Sequence, residues 1–352
     1  MFASKKDIVG VDIGSSSVKV VRLRESRGAY HLVNAGVMPQ EPDAIVDNMI
    51  MDSTSIVATV KNLMSGMKIK SKRVATSISG HSVIIRKILL PIMTEEELEA
   101  SIQWEAEQYI PFEVSEVNID FQILGPDEKD PSHMGVMLVA AKKDYVDDFV
   151  SILTEAGLEP VVMDIDCFAV ENMFGVNYGF FENEIVALVD LGASTIRVNV
   201  LKGDVSVFTR DIQAGGNLLS EELQKRLGIS REEAEKAKMG YRDIEDIDPE
   251  AIDEVLQDAV ENLVQELQRS LDFFSATSTD DKVRKIFLSG GVSNSQLVCE
   301  TLEERLGVAV EVLDPLRNVV VNEKEFDPEY LKTIGPTFSI AVGLAMRKVG
   351  DK

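Results

Sequence analysis

The sequence has few cysteines and few basic residues for its length of 352 residues. Its two cysteines, Cys167 and Cys299, are too few for a disulfide framework, and no C-x-x-C pair is present to hold a structural metal. Acidic residues outnumber basic residues by 60 to 36, which gives a net charge of −24. Because nucleic-acid binding depends on Lys and Arg that neutralise phosphates, this composition argues against a nucleic-acid partner and against an anionic lipid surface.

Long apolar runs are also lacking. No stretch reaches the roughly 18 consecutive apolar residues of a membrane span, and the N-terminal segment MFASKKDIVGVDIG lacks the apolar region of a secretory signal. The segment GLAMRKVGDK at the other end is too short and mixed for an amphipathic anchor. We therefore expect a cytoplasmic protein of two or three domains that does not insert into the membrane itself.

The most informative feature that is present is an internal repeat. Residues 11–20 read VDIGSSSVKV and residues 189–198 read VDLGASTIRV, with five of the ten positions identical and the rest conservative. Each copy follows an apolar strand and continues into a β-branched strand. Both copies are therefore predicted to be hairpins whose turn carries D-x-G-x-S-[ST].

The chemistry of this turn suits a phosphate group. Glycine permits positive φ and close approach of a ligand, and small residues leave backbone N–H groups free to converge on an anion. Hydroxyl groups add donors, and an aspartate at the strand end can hold Mg²⁺ directly or through water. The candidate residues are Asp12, Gly14, Ser15, Ser16, Ser17 and Lys19 in the first copy and Asp190, Gly192, Ala193, Ser194 and Thr195 in the second. One such turn is equally typical of a tight β-turn, but two copies favour a pair of loops that hold one polyphosphate.

Two Gly-Gly pairs follow in the second half of the chain. Gly215-Gly216 precedes a predicted helix with Asn217 or Ser220 as N-cap, and Ser230 forms a capping box with Glu233 at the start of the next helix. Glu235 and Lys238 share a face of that helix, which by itself is typical of a solvated salt bridge.

A long helix is predicted at about 250–275. Gly290-Gly291 then separates a buried strand from a helix predicted to begin near Ser293 or Asn294, so that a flat ring or a phosphate can approach the backbone. An ordinary strand-to-helix turn would explain the second pair as well. A last apolar helix carries small residues, Gly343 among them, that suit close packing.

Together these segments resemble the actin-like nucleotide-binding superfamily, which includes sugar kinases, chaperone ATPases and the cell-division protein FtsA. GVDIGSSSVKVV and ALVDLGASTIRVNV are similar to its two phosphate motifs, and LSGGVSN is similar to its adenosine motif. The resemblance implies an α/β protein with the actin-like ATPase fold, in which two ribonuclease-H-like lobes enclose a nucleotide cleft. Lobe one would comprise residues 1–185 with 336–352, and lobe two residues 186–335 with a helical subdomain at about 217–275.

The same resemblance implies ATP and Mg²⁺ as ligands, with Asp12 and Asp190 holding the cation through water. Around the ribose and adenine it implies a further set of residues, namely Gly215, Gly216, Glu235, Lys238, Gly290, Gly291, Val292 and Asn294.

Within this superfamily the chain is most similar to the PilM family of type IV pilus assembly. A strand-rich βαββα unit at about 80–160, including the capped helix TEEELEASIQWEAEQYIPF, resembles the inserted subdomain that FtsA and PilM share. The resemblance implies a scaffold in pilus assembly and twitching motility that contacts other pilus components. Such a scaffold binds the N-terminal cytoplasmic tail of a PilN-like protein, which recruits it to the inner membrane face. We expect the tail to lie extended in a groove between the inserted subdomain and the rest of lobe one.

Two other functions remain open on the sequence alone, a phosphotransferase of the sugar-kinase type and a filament-forming ATPase. A phosphotransferase needs a carboxylate base, for which Asp164 and Asp166 in VVMDIDCF are weak candidates that could equally cap a strand end. His31, His81 and His133 show no metal-ligand spacing. ATP binding with slow or no hydrolysis is the expectation.

Overall fold

The chain forms two α/β lobes, with a small third sheet inserted into the first. A computed structural model describes residues 8–127, 129–182, 184–277 and 282–351. The first segment of the first lobe contains β1 (Val9–Ile13), β2 (Ser17–Ser26), β3 (Ala29–Pro39), β4 (Ile45–Val46), β5 (Met49–Ile50), α1 (Ser53–Gly66) and β6 (Arg73–Ile78). β1, β2 and β3 form an antiparallel meander, and β6 pairs in parallel with β1. The first copy of the repeat is the β1–β2 hairpin, as predicted.

The inserted subdomain is a three-stranded antiparallel sheet covered by one helix. It consists of β7 (Val83–Pro91), α2 (Glu95–Ala106), β8 (Val117–Pro126) and β9 (His133–Lys142), with the strand order β7-β9-β8. α2 begins with the predicted capping box, in which Thr94 and Glu97 bond each other's backbone N–H. Leu98 and Ile102 of α2 pack on the sheet in a core that belongs to this subdomain alone.

The next segment returns to the first lobe through α3 (Lys143–Glu155), β10 (Glu159–Ile165) and α4 (Asp166–Asn177). The sequence groups α3 with the inserted unit, but its side chains Tyr145 and Leu153 pack with Ile56 and Val60 of α1 in the core of the first lobe. The periodicity of an amphipathic helix does not reveal which sheet the helix covers. It is the tertiary packing that shows α3 to belong to the core of the first lobe.

The second lobe repeats the architecture of the first. Its elements are β11 (Ile185–Leu191), β12 (Ile196–Lys202), β13 (Val205–Ile212), α5 (Gly216–Leu227), α6 (Arg231–Lys238), α7 (Pro249–Thr277), β14 (Lys285–Ser289), α8 (Gln296–Leu306) and β15 (Ala309–Val312). The strand order β13-β12-β11-β14-β15 matches β3-β2-β1-β6-β10 of the first lobe. In both sheets the first two pairings are antiparallel and the next two are parallel. The internal sequence repeat therefore corresponds to a structural duplication.

Helix starts in the second lobe agree with the sequence in part. The capping box of Ser230 and Glu233 opens α6 as predicted. The predicted caps of α5 are wrong, because α5 begins at Gly216 with no side-chain cap. The N–H groups of Gly216 and Asn217 instead donate to the carbonyls of Gly192 and Ala193 at 2.9 and 2.8 Å. α8 begins at Gln296, slightly later than predicted.

The last elements are β16 (Val319–Val320), α9 (Pro328–Ile334) and α10 (Ser339–Met346). β16 pairs in parallel with β3, so the chain rejoins the first sheet upstream of the predicted return at residue 336. α10 and α4 lie in a core that draws side chains from both sheets, including Val21 of the first and Phe287 of the second. Among the described residues, no helix has the length and apolar character needed to cross a membrane.

A glycine allows the close approach of these two helices, which gives a test of the shared core. A Cβ built at Gly343 would lie 1.8 Å from the carbonyl oxygen of Ala169 in α4. Gly343→Ala is expected to destabilise the protein by at least about 2 kcal/mol, because the helices must separate to admit the methyl group. Urea unfolding measures this loss as a lower midpoint.

Gly66→Ala is the matched control, since a Cβ at Gly66 in α1 meets no atom within 4 Å. Because alanine is the better helix former by about 1 kcal/mol, this variant is expected to be unchanged or slightly more stable. Equal midpoints for the two variants would contradict the packing argument.

Candidate functional site

The two repeated turns lie in opposite lobes and touch each other. The hydroxyl of Ser194 donates to Oγ of Ser15 at 2.6 Å, across the space between the lobes. Each turn is closed by the same backbone bond, from Gly14 N to Ser17 O and from Gly192 N to Thr195 O, both at 3.1 Å. The duplicated hairpins therefore present equivalent loops to one shared cleft.

The cleft contains a cavity of about 1060 Å³, at the upper end of the range of about 300–1,000 Å³ for small-molecule and cofactor sites. Most of the candidate residues line it. These are Asp12, Gly14, Ser15, Ser16, Ser17, Lys19, Asp190, Gly192, Ala193, Ser194, Thr195, Gly216, Glu235, Lys238, Gly290, Gly291, Val292, Asn294 and Asp166. Gly215 and Asp164 are not among the lining residues.

Each loop pairs its aspartate with a cation on the following strand. Lys19 Nζ lies 3.2 Å from Asp12, and Arg197 Nη1 lies 3.0 Å from Asp190. Both glycines leave room for these cations, because a Cβ at Gly14 would lie 3.0 Å from Lys19 Nζ and one at Gly192 would lie 3.0 Å from Arg197 Nη1. Neither glycine has positive φ, so the conformational reason predicted for them is wrong and close packing is the reason observed.

Arg197 is the main site residue that sequence reasoning missed, although it is the repeat partner of Lys19. It reaches across the cleft to the first lobe, where its Nε lies 2.7 Å from the carboxylate of Asp166 at the start of α4. Burial lowers the pKa of Arg197, but the carboxylates of Asp166 and Asp190 outweigh this effect and raise it above its ordinary value. Arg197 therefore stays charged and holds the two lobes together at the base of the cleft.

The base of the cleft carries excess negative charge. Asp12, Asp166 and Asp190 are all buried, and the ion pairs found for them among the described residues are with Lys19 and Arg197. Burial raises the pKa of Asp12, while Lys19 lowers it. No group of three or more acidic, histidine or cysteine side chains within the described ranges is close enough to hold a metal alone. A cation at this point would need water or ligand oxygens as well, which fits Mg²⁺ since that ion keeps several waters.

The predicted Glu235–Lys238 pair also lines the cavity. The two side chains lie 2.7 Å apart, and Ser220 of α5 donates to Glu235 at 2.6 Å and accepts from Lys238 at 3.0 Å. Burial raises the pKa of Glu235, but the hydrogen bonds from Lys238 and Ser220 outweigh it and keep this pKa below its usual value. The pair is thus anchored to a neighbouring helix at the cavity wall, unlike a solvated surface pair.

The two Gly-Gly pairs have different roles. A Cβ at Gly215 would lie 2.5 Å from the carbonyl oxygens of Gly192 and Ala193, so this residue serves the packing of α5 on the second loop. Gly290 has φ of +91°, and a Cβ there would lie 2.3 Å from the carbonyl oxygen of Leu191. Beside it, Gly291 has open space where a side chain would be. The second pair therefore leaves backbone accessible at the cavity wall.

The two weak catalytic candidates differ in position. Asp166 lines the cavity and pairs with Arg197. Asp164 turns away, with one carboxylate oxygen 3.4 Å from Nε of Arg347 and the other accepting from the N–H of Ile165. The geometry gives Asp164 no role in the cleft.

Other residues that line the cavity belong to no sequence motif, so the sequence does not predict them. Gln40 directly follows β3, Asn48 lies in the turn between β4 and β5, and Ser79 directly follows β6. Gln40 donates its N–H to the carbonyl of Ser16 at 2.9 Å, and Asn48 Oδ1 accepts from Thr195 at 3.4 Å. These single polar residues reach the cleft only through the tertiary fold.

A second contact between the lobes gives a pH-dependent prediction. Asn199 of β12 donates to the carboxylate of Glu171 in α4 at 2.8 Å. Burial raises the pKa of Glu171 from 4.5 to about 7, against the opposing hydrogen bond from Asn199. Between these two pH values the folded state keeps a proton that the unfolded state releases, so stability falls as the pH rises through about 7.

Glu171→Gln is expected to remove this loss, on the order of 2 kcal/mol between pH 5 and pH 8. Denaturant midpoints at several pH values measure it, and Glu155→Gln on the exposed end of α3 is the control. A variant whose stability falls with pH as steeply as that of the wild type would show that Glu171 is not the group responsible.

Comparison with known proteins places this geometry in context. The model of a family described as "Type IV pilus assembly protein PilM" matches residues 10–349. The solved structure of a PilM-PilN type IV pilus biogenesis complex is similar with a TM-score of 0.86 and 29% identity, over 99% of this chain and 100% of that chain.

More distant proteins share the fold. MreB 5 of Spiroplasma citri bound to AMPPNP has a TM-score of 0.54 and 13% identity over 97% of this chain and 95% of that chain, which shows the fold alone. The cell division protein FtsA of Streptococcus pneumoniae serotype 2 (strain D39 / NCTC 7466) is 25% identical over 260 residues. That match covers 66% of this chain and 55% of the FtsA sequence, so the chain spans little more than half of that relative. The predicted actin-like fold and the resemblance to the pilus assembly family are confirmed.

Proposed function

This chain belongs to the PilM family of type IV pilus assembly proteins, and on that premise we propose that it is a cytoplasmic scaffold that binds MgATP between its lobes. In the same proposal it holds the cytoplasmic tail of a PilN-like membrane protein, which recruits it to the inner membrane face and brings it near other pilus components. The observation that carries the nucleotide part is the meeting of the two repeated loops at Ser15 and Ser194.

The loops offer what a triphosphate needs. Hydroxyls from both lobes converge at Ser15 and Ser194, and a phosphate oxygen can accept from each of them in place of the present bond between them. Lys19 lies on the same side and can act as a point charge toward the phosphates. The protein MreB 5, which shares the fold, holds the ATP analogue AMPPNP. These features support a nucleotide with its phosphates between the loops and its base toward Glu235 and Lys238.

The charge at the base of the cleft supports Mg²⁺ as part of the ligand. Three buried carboxylates would repel a triphosphate that arrives without a cation. Asp12 and Asp190 end the equivalent strands β1 and β11 and are the residues we propose to hold Mg²⁺ through water. When bound, the cation supplies positive charge that offsets both the carboxylates and the phosphates.

Asp12→Asn and Asp190→Asn test this assignment. With Mg²⁺ present, each is expected to bind ATP about tenfold more weakly, because one of the carboxylates that attracts the cation is gone. In EDTA each is expected to bind as well as the wild type or better, because repulsion of the phosphates is reduced. Titration calorimetry under the two conditions measures the ratio.

Asp164→Asn is the matched control, since Asp164 is also a buried aspartate at a strand end but does not line the cavity. It is expected to leave both affinities unchanged. Wild-type MgATP affinity in Asp12→Asn and in Asp190→Asn would refute the proposed clamp.

We propose binding with slow or no hydrolysis. Asp166 is the catalytic candidate that lines the cavity, and its carboxylate is engaged by Arg197 at 2.7 Å. A carboxylate that accepts from a guanidinium has fewer lone pairs free to orient an attacking water. The alternatives of a sugar-kinase-like phosphotransferase and of a filament-forming ATPase stay predictions, with no feature of the site that favours them.

The partner proposal is supported by the similar PilM-PilN complex and by the inserted subdomain. β7 is an edge strand of the inserted sheet, so one side of its backbone can pair with an added strand. Its side chain Leu89 is exposed, and Ile92 follows just beyond its end with the same property. An extended tail with apolar residues can pair with this edge and cover both side chains.

A peptide of a PilN-like cytoplasmic tail is expected to bind the full chain saturably, and Leu89→Asp is expected to weaken that binding about tenfold. Tyr330→Asp, an exposed position on α9, is the control and is expected to bind like the wild type. Fluorescence anisotropy of a labelled peptide measures all three. Absence of saturable binding to the wild type would count against the partner, whereas wild-type affinity of Leu89→Asp would count against β7 as its site.

A further inference from the structure

One of the two chain connections between the inserted subdomain and the first lobe forms part of the cleft wall, the other being the passage from β9 into α3. Residues 79–82, which we call the neck, connect β6 to β7. Ser79, at the start of the neck, is buried and lines the cavity. The neck therefore contacts the candidate ligand site at one end and the inserted sheet at the other.

Two residues of the second lobe hold the neck. Arg197 Nε donates to the hydroxyl of Ser79 at 3.2 Å, and the N–H of Gly80 donates to Asp211 Oδ2 at 2.6 Å. Arg197 and Asp211 are direct partners across the β12–β13 pair. One cross-strand pair of the second sheet therefore bonds to two successive residues of the neck. Gly80 is buried, and a buried N–H that lost its acceptor would cost about 1–3 kcal/mol.

The neck has little freedom to move on its other sides. Gly80 has φ of +91°, and a Cβ there would lie 2.3 Å from Nδ2 of Asn48. The hydroxyl of Tyr145 in α3 donates to the carbonyl of Ser79 at 3.2 Å. Because Asn48 also contacts Thr195 of the second loop, the neck sits between that loop and α3. Movement of the neck thus requires a change in its contacts with Arg197 and Asp211.

We propose that Arg197 and Asp211 are a latch that couples the state of the cleft to the position of the inserted subdomain. Arg197 is the same residue that pairs with Asp190 of the second loop and with Asp166. A ligand that changes the charge around these carboxylates redistributes the hydrogen bonds of Arg197, and the neck is among their acceptors. The contact between latch and neck stands on the geometry alone, whereas its response to a ligand rests on the proposed nucleotide function.

The first experiment needs no ligand. Asp211 is an exposed residue near the end of β13, so Asp211→Ala is expected to fold. Hydrogen exchange of peptides covering residues 77–90 is expected to accelerate at least tenfold for the Gly80 amide, because its acceptor is gone. Exchange in β11 is expected to stay unchanged. Asp204→Ala is the control, since Asp204 is an exposed aspartate at the opposite end of the same hairpin. Wild-type protection of Gly80 in Asp211→Ala would overturn the latch.

Ser79→Ala gives a second variant that removes only the acceptor of Arg197 and retains the Gly80–Asp211 bond. It is expected to accelerate neck exchange by a smaller factor, about threefold, with the β11 amides again unaffected. Unchanged exchange in this variant would remove Arg197 from the latch.

The second experiment adds MgATP at saturation, with the affinity of each variant measured separately. In the wild type, exchange across residues 77–90 is expected to change at least threefold, and in Asp211→Ala this response is expected to disappear although nucleotide is bound. An identical response in Asp211→Ala and Asp204→Ala would overturn the coupling. If the wild type bound no nucleotide, the proposed function would fail and the coupling with it, while the first experiment would still decide the contact.

Discussion

The pairing of a strand-end aspartate with a cation on the next strand is the interaction on which the cleft depends. It occurs twice, as Asp12 with Lys19 and as Asp190 with Arg197, at the same register of two duplicated hairpins. Without these cations, buried aspartates of like charge from the two lobes would face one another with no opposite charge beside them. Lys19 and Arg197 thus stabilise the buried aspartates at the base of the cleft. These aspartates can in turn attract an anion that carries a metal cation.

The two copies have diverged in what their cation does. Lys19 pairs with Asp12 of its own lobe. An ammonium group on a flexible chain is suited to one carboxylate and to a phosphate group. Arg197 has several donors in a rigid plane, and it contacts Asp190, Asp166 and Ser79 at once. The conservative Lys/Arg difference between the two copies therefore gives the second lobe a side chain that binds the first lobe. Replacement of Arg197 by lysine would keep the charge but could not keep all three contacts, because an ammonium group lacks the planar set of donors.

Sequence reasoning recovered the parts of the site that are local. The hairpins, the capping boxes of α2 and α6, and the Glu235–Lys238 spacing are set by neighbours along the chain, and all were readable. Contacts made across the cleft were not readable, because Ser79, Asn48 and Asp211 have no partner nearby in sequence. The predicted caps of α5 were wrong for the same reason, since the first N–H groups of α5 donate to the second loop rather than to a local side chain. The glycines of the loops were identified for a wrong physical reason, and their actual role depends on where a cation lies.

The two sides of the contact between the lobes differ in chemistry. On one side the lobes share an apolar core around α4, α10 and Phe287, in which Gly343 leaves no space to spare against Ala169. Dense apolar packing of this kind deforms little. On the cleft side, the contacts between the lobes include the polar pairs Ser15–Ser194 and Arg197–Asp166. The neck of the inserted subdomain lies on this polar side of the contact, where Arg197 and Asp211 of the second lobe bond to it.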